Sequence, residues 1–228
     1  MNFTRTCLVI MILLYGSIRA LAEPKGIKSL PVGGRPDASI GRLVARSIGE
    51  ASSSRIALTW SQNGIKRHQV IQLPTPWYCD GYEDYSYRPV GVQFRISDEP
   101  GLMIVANRES GVYDVRSPIV YRLHKGAWRH VASNPKQSEF TEFGSCYIKH
   151  GRLYAWDYEM ANNKGHADPQ RYWLRVFTIS RTRVRLRSSK MSREEYVHID
   201  FPVTSSKIRP SADPMREFGL RWKWWGDR

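Results

Sequence analysis

The chain has 228 residues and carries 35 lysines and arginines against 21 acids, a formal charge of +14, with 41% hydrophobic and 12% aromatic residues. That apolar share excludes a disordered basic tail, and the length allows one good core or one core with a small appendage. The charge alone invites a nucleic-acid partner, a reading that the first segment redirects.

In residues 1–22, Arg5 precedes an apolar stretch from Cys7 to Ile18, and Ala20-Leu21-Ala22 fits a small-x-small cleavage site. This is the layout of a secretory signal. No internal apolar run approaches the ~20 residues of a membrane-spanning helix, so no transmembrane span is expected in the mature chain. Cleavage removes Arg5 and Arg19 and no acid, so the positive excess survives. It also removes Cys7 and leaves Cys79 and Cys146. An even pair in an exported chain favours one disulfide. The expected location is the periplasm of a Gram-negative bacterium or the cell exterior, which makes nucleic acid a poor first choice of partner.

Residues 23–50 are punctuated by Pro24, Gly26, Pro31, Gly33, Gly34 and Pro36. Such spacing predicts an irregular lead-in lying on the domain, with a short helix or strand within Ile40 to Ile48. Residues 51–228 read as one all-β domain. Strands are predicted over 55–60 and 66–73, on either side of Asn63-Gly64, a strong hairpin signal. Further strands are predicted over 90–96 and 102–106 around a turn at 97–101, over 118–123 and 127–132 around 124–126, and over 146–149 and 153–158 around His150-Gly151. Next come 172–179 and 183–187 around Ser180-Arg181-Thr182, then 196–201. In the last segment Phe218, Leu220, Trp222 and Trp224 alternate with Gly219, Arg221 and Lys223, which predicts a C-terminal aromatic strand. Short strands at this spacing predict a single antiparallel sandwich or barrel, or a small propeller-like domain. No fixed repeat period holds along the chain.

The sequence lacks GxSxG, a Walker loop, HExxH and a Gly-rich dinucleotide turn. Its six histidines, His68, His124, His130, His150, His166 and His198, show no metal-ligand spacing. No cofactor, metal site or catalytic set is assigned. Asp157 and Glu159 stand two apart on one strand, an arrangement that by itself suits neither glycosidase geometry. Asp80, Tyr82, Glu83 and Asp84 form an acidic, tyrosine-rich loop beside Cys79, a secondary candidate for a cation, a sugar face or a basic segment.

The sharper feature is the basic hairpin. Arg181, Arg183, Arg185 and Arg187 occupy alternate positions, with Val184 and Leu186 between them. On a strand this predicts an arginine stripe backed by an apolar face. Arg171 and Arg175, beside Trp173 and Phe177, are expected to extend it from the partner strand. Guanidinium groups so placed suit carboxylates, phosphates or anionic glycans and can stack on aromatics. The competing reading is a charged strand that protects a sheet edge.

Together these features predict an exported, non-catalytic binding protein. It would be an inhibitor or immunity protein holding an acidic envelope-acting enzyme through a basic, aromatic-laced sheet face. The alternatives are a periplasmic envelope hydrolase or glycan-processing enzyme using the clustered carboxylates, and a structural component that binds an anionic envelope polymer such as a glycan or lipid.

Overall fold

The computed structural model describes residues 29–30, 32–34, 37–49, 53–79, 91–110, 113–133, 140–141, 145–149, 151–159, 168–196 and 217–218. The predicted leader, the acidic loop with Asp80, Tyr82, Glu83 and Asp84, the predicted strand beyond Tyr196 and the aromatic stretch beyond Phe218 lie outside them.

The described chain is nearly all β and forms three sheets. The first runs in the order β1 (Ser29–Leu30), β3 (Val44–Ser47), β4 (Arg55–Gln62), β5 (Ile65–Gln72), antiparallel throughout. The second runs β11 (Phe140–Thr141), β8 (Tyr113–His124), β7 (Glu99–Ser110), β6 (Gly91–Ile96), β2 (Val32–Gly34), with β9 (Ala127–His130) also paired to β8. The third runs β10 (Ala132–Ser133), β15 (Arg183–Met191), β14 (Arg171–Ile179), β13 (Arg152–Glu159), β12 (Ser145–Lys149).

Two pairs, β2 with β6 and β10 with β15, are parallel, which corrects the purely antiparallel expectation to mixed sheets. The segment read as an irregular lead-in supplies three of these strands. Glycine makes the β2 pairing possible: Gly34 has φ +88°, and a Cβ there would collide with the backbone of Gln93.

Local chemistry explains most hairpins. Asn63 and Gly64, at φ 52° and 75°, take the left-handed conformation that a tight two-residue turn requires, and Gln62 pairs with Ile65 across it. The turn expected over 97–101 is shorter, because Ile96 already pairs with Glu99. Pro100 lies before the first rung that β7 shares with β8, so its missing N–H breaks no bond there. Gly101 is covered by the Phe94 ring, which a Cβ would approach to 2.9 Å.

The middle sheet buries both faces. Leu102, Ile104, Ala106, Ile119, Tyr121 and Leu123 join Ile56, Leu58 and Trp60 of the first sheet in one cluster. Met103 and Val120 join Leu153, Ala155, Phe177 and Val184 of the third sheet in another. A strand buried on both sides has no polar alternation, which is why residues 101–106 are apolar in series.

Among the described residues there is no disulfide, so the Cys79–Cys146 bridge expected from the cysteine count is not found. Cys79 is buried in the cluster between the first and second sheets, whereas Cys146 belongs to β12 of the third. A bridge needs Cα atoms within ~7 Å, and the two cysteines belong to layers on opposite sides of the middle sheet.

The first sheet is fastened to the second by a side chain. Gln69 on β5 donates from Nε2 to the Trp128 carbonyl at 2.9 Å and accepts from the Trp128 N–H at 2.7 Å. Its amide thus continues the ladder where β5 and β9 approach without pairing. Tyr121 donates to the Gln72 carbonyl at 3.3 Å, and Trp128 packs edge-on against Trp60 with centroids 6.0 Å apart. Replacing Gln69 by Leu strands both Trp128 backbone groups, and losing such bonds costs about 1–3 kcal/mol. The expected result is a lower denaturation midpoint with an unchanged denaturant slope, read by urea unfolding followed through tryptophan fluorescence.

Candidate functional site

The two faces of the third sheet are assigned by its buried residues. Leu153 pairs with Phe177, and Ile179 with Val184, all turned toward the middle sheet. The intervening rungs present the other face. One links Arg152, Thr178 and Arg185, and the next links Tyr154, Val176 and Ser188. Arg183 precedes Arg185 on the same face by strand alternation.

Arg152, Arg183 and Arg185 are exposed, and none makes an ion pair among the described residues. Adjacent strands lie about 4.8 Å apart and alternate residues about 6.7 Å along a strand. The backbone positions of the three arginines therefore sit roughly 7–12 Å from one another, around Thr178 and beside the half-buried Tyr154 and Val176. This spacing suits several carboxylates of one partner, each taken by a guanidinium fork.

The predicted stripe is only partly assembled. Arg183 and Arg185 share a face as expected. Arg187 does not continue it, because the register passes from Phe177–Leu186 to Val176–Ser188 and leaves Arg187 as the extra residue of a β-bulge. Arg181 lies in the turn and is bound to Asp98 in the turn between β6 and β7. That hydrogen bond and the arginine's charge hold the Asp98 carboxyl below its ordinary range. Arg171, Trp173 and Arg175 alternate with Phe177 and so belong to the opposite face. Trp173 is therefore not beside Arg183 and Arg185. The correction has a plain cause: in an antiparallel pair the inward position of Phe177 decides which β14 residues share a face with the β15 arginines, and that follows from register rather than composition.

Arg152 was missed, since no local pattern marks it; the β13–β14–β15 register brings it in from outside the hairpin. Of the acidic candidates, Asp157 and Glu159 fall on β13 opposite Trp173 and Arg171, with their side chains outside the description. No group of three His, Cys, Asp or Glu side chains that could hold a metal ion occurs among the described residues. No described helix is long and apolar enough to cross a membrane.

A second charged group was not legible either. Glu99 accepts hydrogen bonds from Arg122 Nη1 at 2.8 Å and from His124 Nδ1 at 2.7 Å. Sequence separation and the misplaced turn concealed it. It ties β7 to β8, next to Asp98, through which Arg181 joins the turn of the third sheet to the second.

Comparison with known proteins gives no match: no family model fits the chain, and no curated protein or solved structure is significantly similar to it.

The Glu99 group predicts an acid limb in stability. Burial pushes its carboxyl upward, but hydrogen bonds from His124 and Arg122 outweigh that and hold it below its ordinary 4.5. A carboxyl lowered on folding adds stability above the unfolded value, and this is lost as pH falls through the native value. Unfolding midpoints should therefore drop as pH falls below 4.5, and less steeply in Glu99→Gln. Parallel acid limbs in the two proteins would remove Glu99 from this role.

Proposed function

We propose that this chain is an exported, non-catalytic binding protein that holds an acidic protein through the outer face of the third sheet. Arg152, Arg183 and Arg185 are the anchors, and Tyr154 and Val176 supply the apolar contact beside them. The observation that carries this reading is the gathering of three arginines, without ion-pair partners among the described residues, on adjacent rungs of a sheet whose other face is packed. A rigid support keeps their spacing fixed, so little ordering is lost when a partner docks.

The formal charge, +14 for the whole chain and 14 − 2 = +12 once the predicted leader with Arg5 and Arg19 is removed, adds long-range steering toward an acidic surface. An inhibitor or immunity protein of an envelope-acting enzyme uses these properties. Its partner would offer two or more carboxylates spaced like the arginines, and an apolar or aromatic group that meets Tyr154. The Tyr154 ring and the guanidinium planes give such an interface the residue types that dominate binding hot spots.

The test is capture of partners from envelope extract by the wild-type chain and by an Arg152→Glu, Arg183→Glu, Arg185→Glu variant, at low and at high salt. The wild type should retain an acidic protein at low salt, lose it progressively with salt, and the variant should fail to retain it at either. Equal retention by the two proteins would sink the assignment. An anionic glycan or lipid in place of a protein would move the function to envelope-polymer binding.

A further inference from the structure

A cavity of about 680 Å³ opens where the β1–β3 end of the first sheet meets the β2–β6 edge of the second. It is remote in sequence from the basic face and chemically unlike it. Leu30, Val32, Ile40 and Leu43 give it apolar walls, and Asp37 and Gln93 bring oxygens to it. Both polar residues are deeply buried, with 5% and 7% of their surface exposed.

Their hydrogen bonding is incomplete. Asp37 Oδ1 accepts from the Ser39 N–H at 2.9 Å and from Ser39 Oγ at 2.6 Å. Asp37 Oδ2 forms an ion pair with Nη1 of the exposed Arg95 at 3.1 Å, but among the described residues no hydrogen bond reaches it. Gln93 Oε1 likewise has no hydrogen-bond partner among the described residues. Buried acceptors left without donors are uncommon in folded chains, and here two of them line one space. Burial pushes the Asp37 carboxyl upward, but the Ser39 bonds and the Arg95 charge outweigh it, so the group is ionised at neutral pH.

The missing element is a donor, and the anion beside it favours a positive one. A hard metal cation takes six or more oxygens, and these two, one of them an uncharged amide oxygen, would leave most of its shell to water against apolar walls. A hydroxyl brings a single N–H or O–H equivalent and no charge, whereas a primary ammonium brings three donors and a charge. The apolar walls ask for a hydrocarbon body.

We propose that this cavity binds a small primary ammonium compound with a short aliphatic body, its N–H groups donating to Asp37 and Gln93 and its body lying on Leu30, Val32, Ile40 and Leu43. Gln93 is then a specificity residue, since it accepts from the ligand without adding charge. Asp37 supplies the attraction, and the Ser39 bonds fix which of its oxygens faces the ligand. The site rests on none of the arginines of the basic face.

Isothermal titration of the full chain with isopentylamine and with isopentanol, which share one carbon skeleton, tests the assignment. The amine should bind at least about tenfold more tightly than the alcohol and raise the melting temperature. Asp37→Asn, which keeps an oxygen for Ser39, should weaken the amine by about tenfold or more. Gln93→Met, which keeps the volume and removes the acceptor, should weaken it severalfold. Arg129→Gln, on β9 away from the cavity, should leave it unchanged. Equal affinity for amine and alcohol, wild-type affinity in both cavity variants, or no heat at millimolar amine would each overturn the proposal. If Asp37→Asn fails to fold, Gln93→Met and the alcohol comparison decide it.

Discussion

The arrangement of the molecule hangs on the Gln69 amide between β5 and β9. A sheet edge presents backbone donors and acceptors that must go somewhere. At Trp128 the backbone N–H and C=O face β5, whose own backbone does not reach them, and one side-chain amide supplies both missing partners. Because this bridge is polar, bonded at both ends and set beside Trp60 and Trp128, it fixes position as well as distance. The first sheet can then lay Ile56, Leu58 and Trp60 onto the middle sheet in one register only. The indole N–H groups of Trp60 and Trp128 are buried there without hydrogen-bond partners among the described residues. The rings are thus held by packing, and the corner depends all the more on the amide beside them.

From that corner the remaining order follows outward. The middle sheet is covered on one face by the first sheet and on the other by the third, so neither face is open to water along its centre. The third sheet packs one face on the middle sheet; its other face is exposed at Arg183 and Arg185 but covered at the far end, where Tyr172 and Leu174 are buried. Its end is tied back by Arg181 to Asp98, next to Glu99 with Arg122 and His124. An exposed pair such as Arg181–Asp98 contributes little alone. Here its effect is geometric, since it holds two turns of different sheets in one place. At the other end Glu217 accepts from the Arg193 and Glu194 N–H groups and the Tyr196 hydroxyl, while Tyr172 packs against Tyr196. The outward face between these two ends carries the arginines.

What was legible in the sequence was local. Asn63-Gly64 and the alternation of Ile56, Leu58 and Trp60 dictate a turn and a strand face through contacts within a few residues. Pairing between strands was not legible, because register depends on which residues of distant strands meet. This is why composition alone groups Arg171, Trp173 and Arg175 with Arg183 and Arg185 and gives no sign of Arg152. Burial on both faces removed the alternation from 101–106, and Pro100-Gly101 imitated a turn within a strand. The glycines of the lead-in point to irregular structure, although Gly34 is what lets β2 lie against β6. Cysteine count suggested a bridge, but the distance between two cysteines is a property of the layers and is invisible in the number alone.

The arginines can be weighed against edge protection on this basis. β15 pairs with β10 only at Arg183 and Val184, so from Arg185 onward its outer edge has no partner strand among the described residues. Charges and a bulge on such an edge discourage pairing with other chains. Arg187, the bulged residue, and the neighbouring Lys190 fit that role. Arg152 does not, for β13 lies inside the sheet, between β12 and β14. Like charges on one sheet face repel, and edge protection gains nothing from placing Arg152 across Thr178 from Arg185. Acids that could relieve the repulsion exist nearby in the fold, yet Asp98 and Glu99 are engaged by Arg181, Arg122 and His124 on the other side. Among the described residues the repulsion is therefore left standing on a rigid support, where an acidic partner would relieve it and a bare edge would not need it.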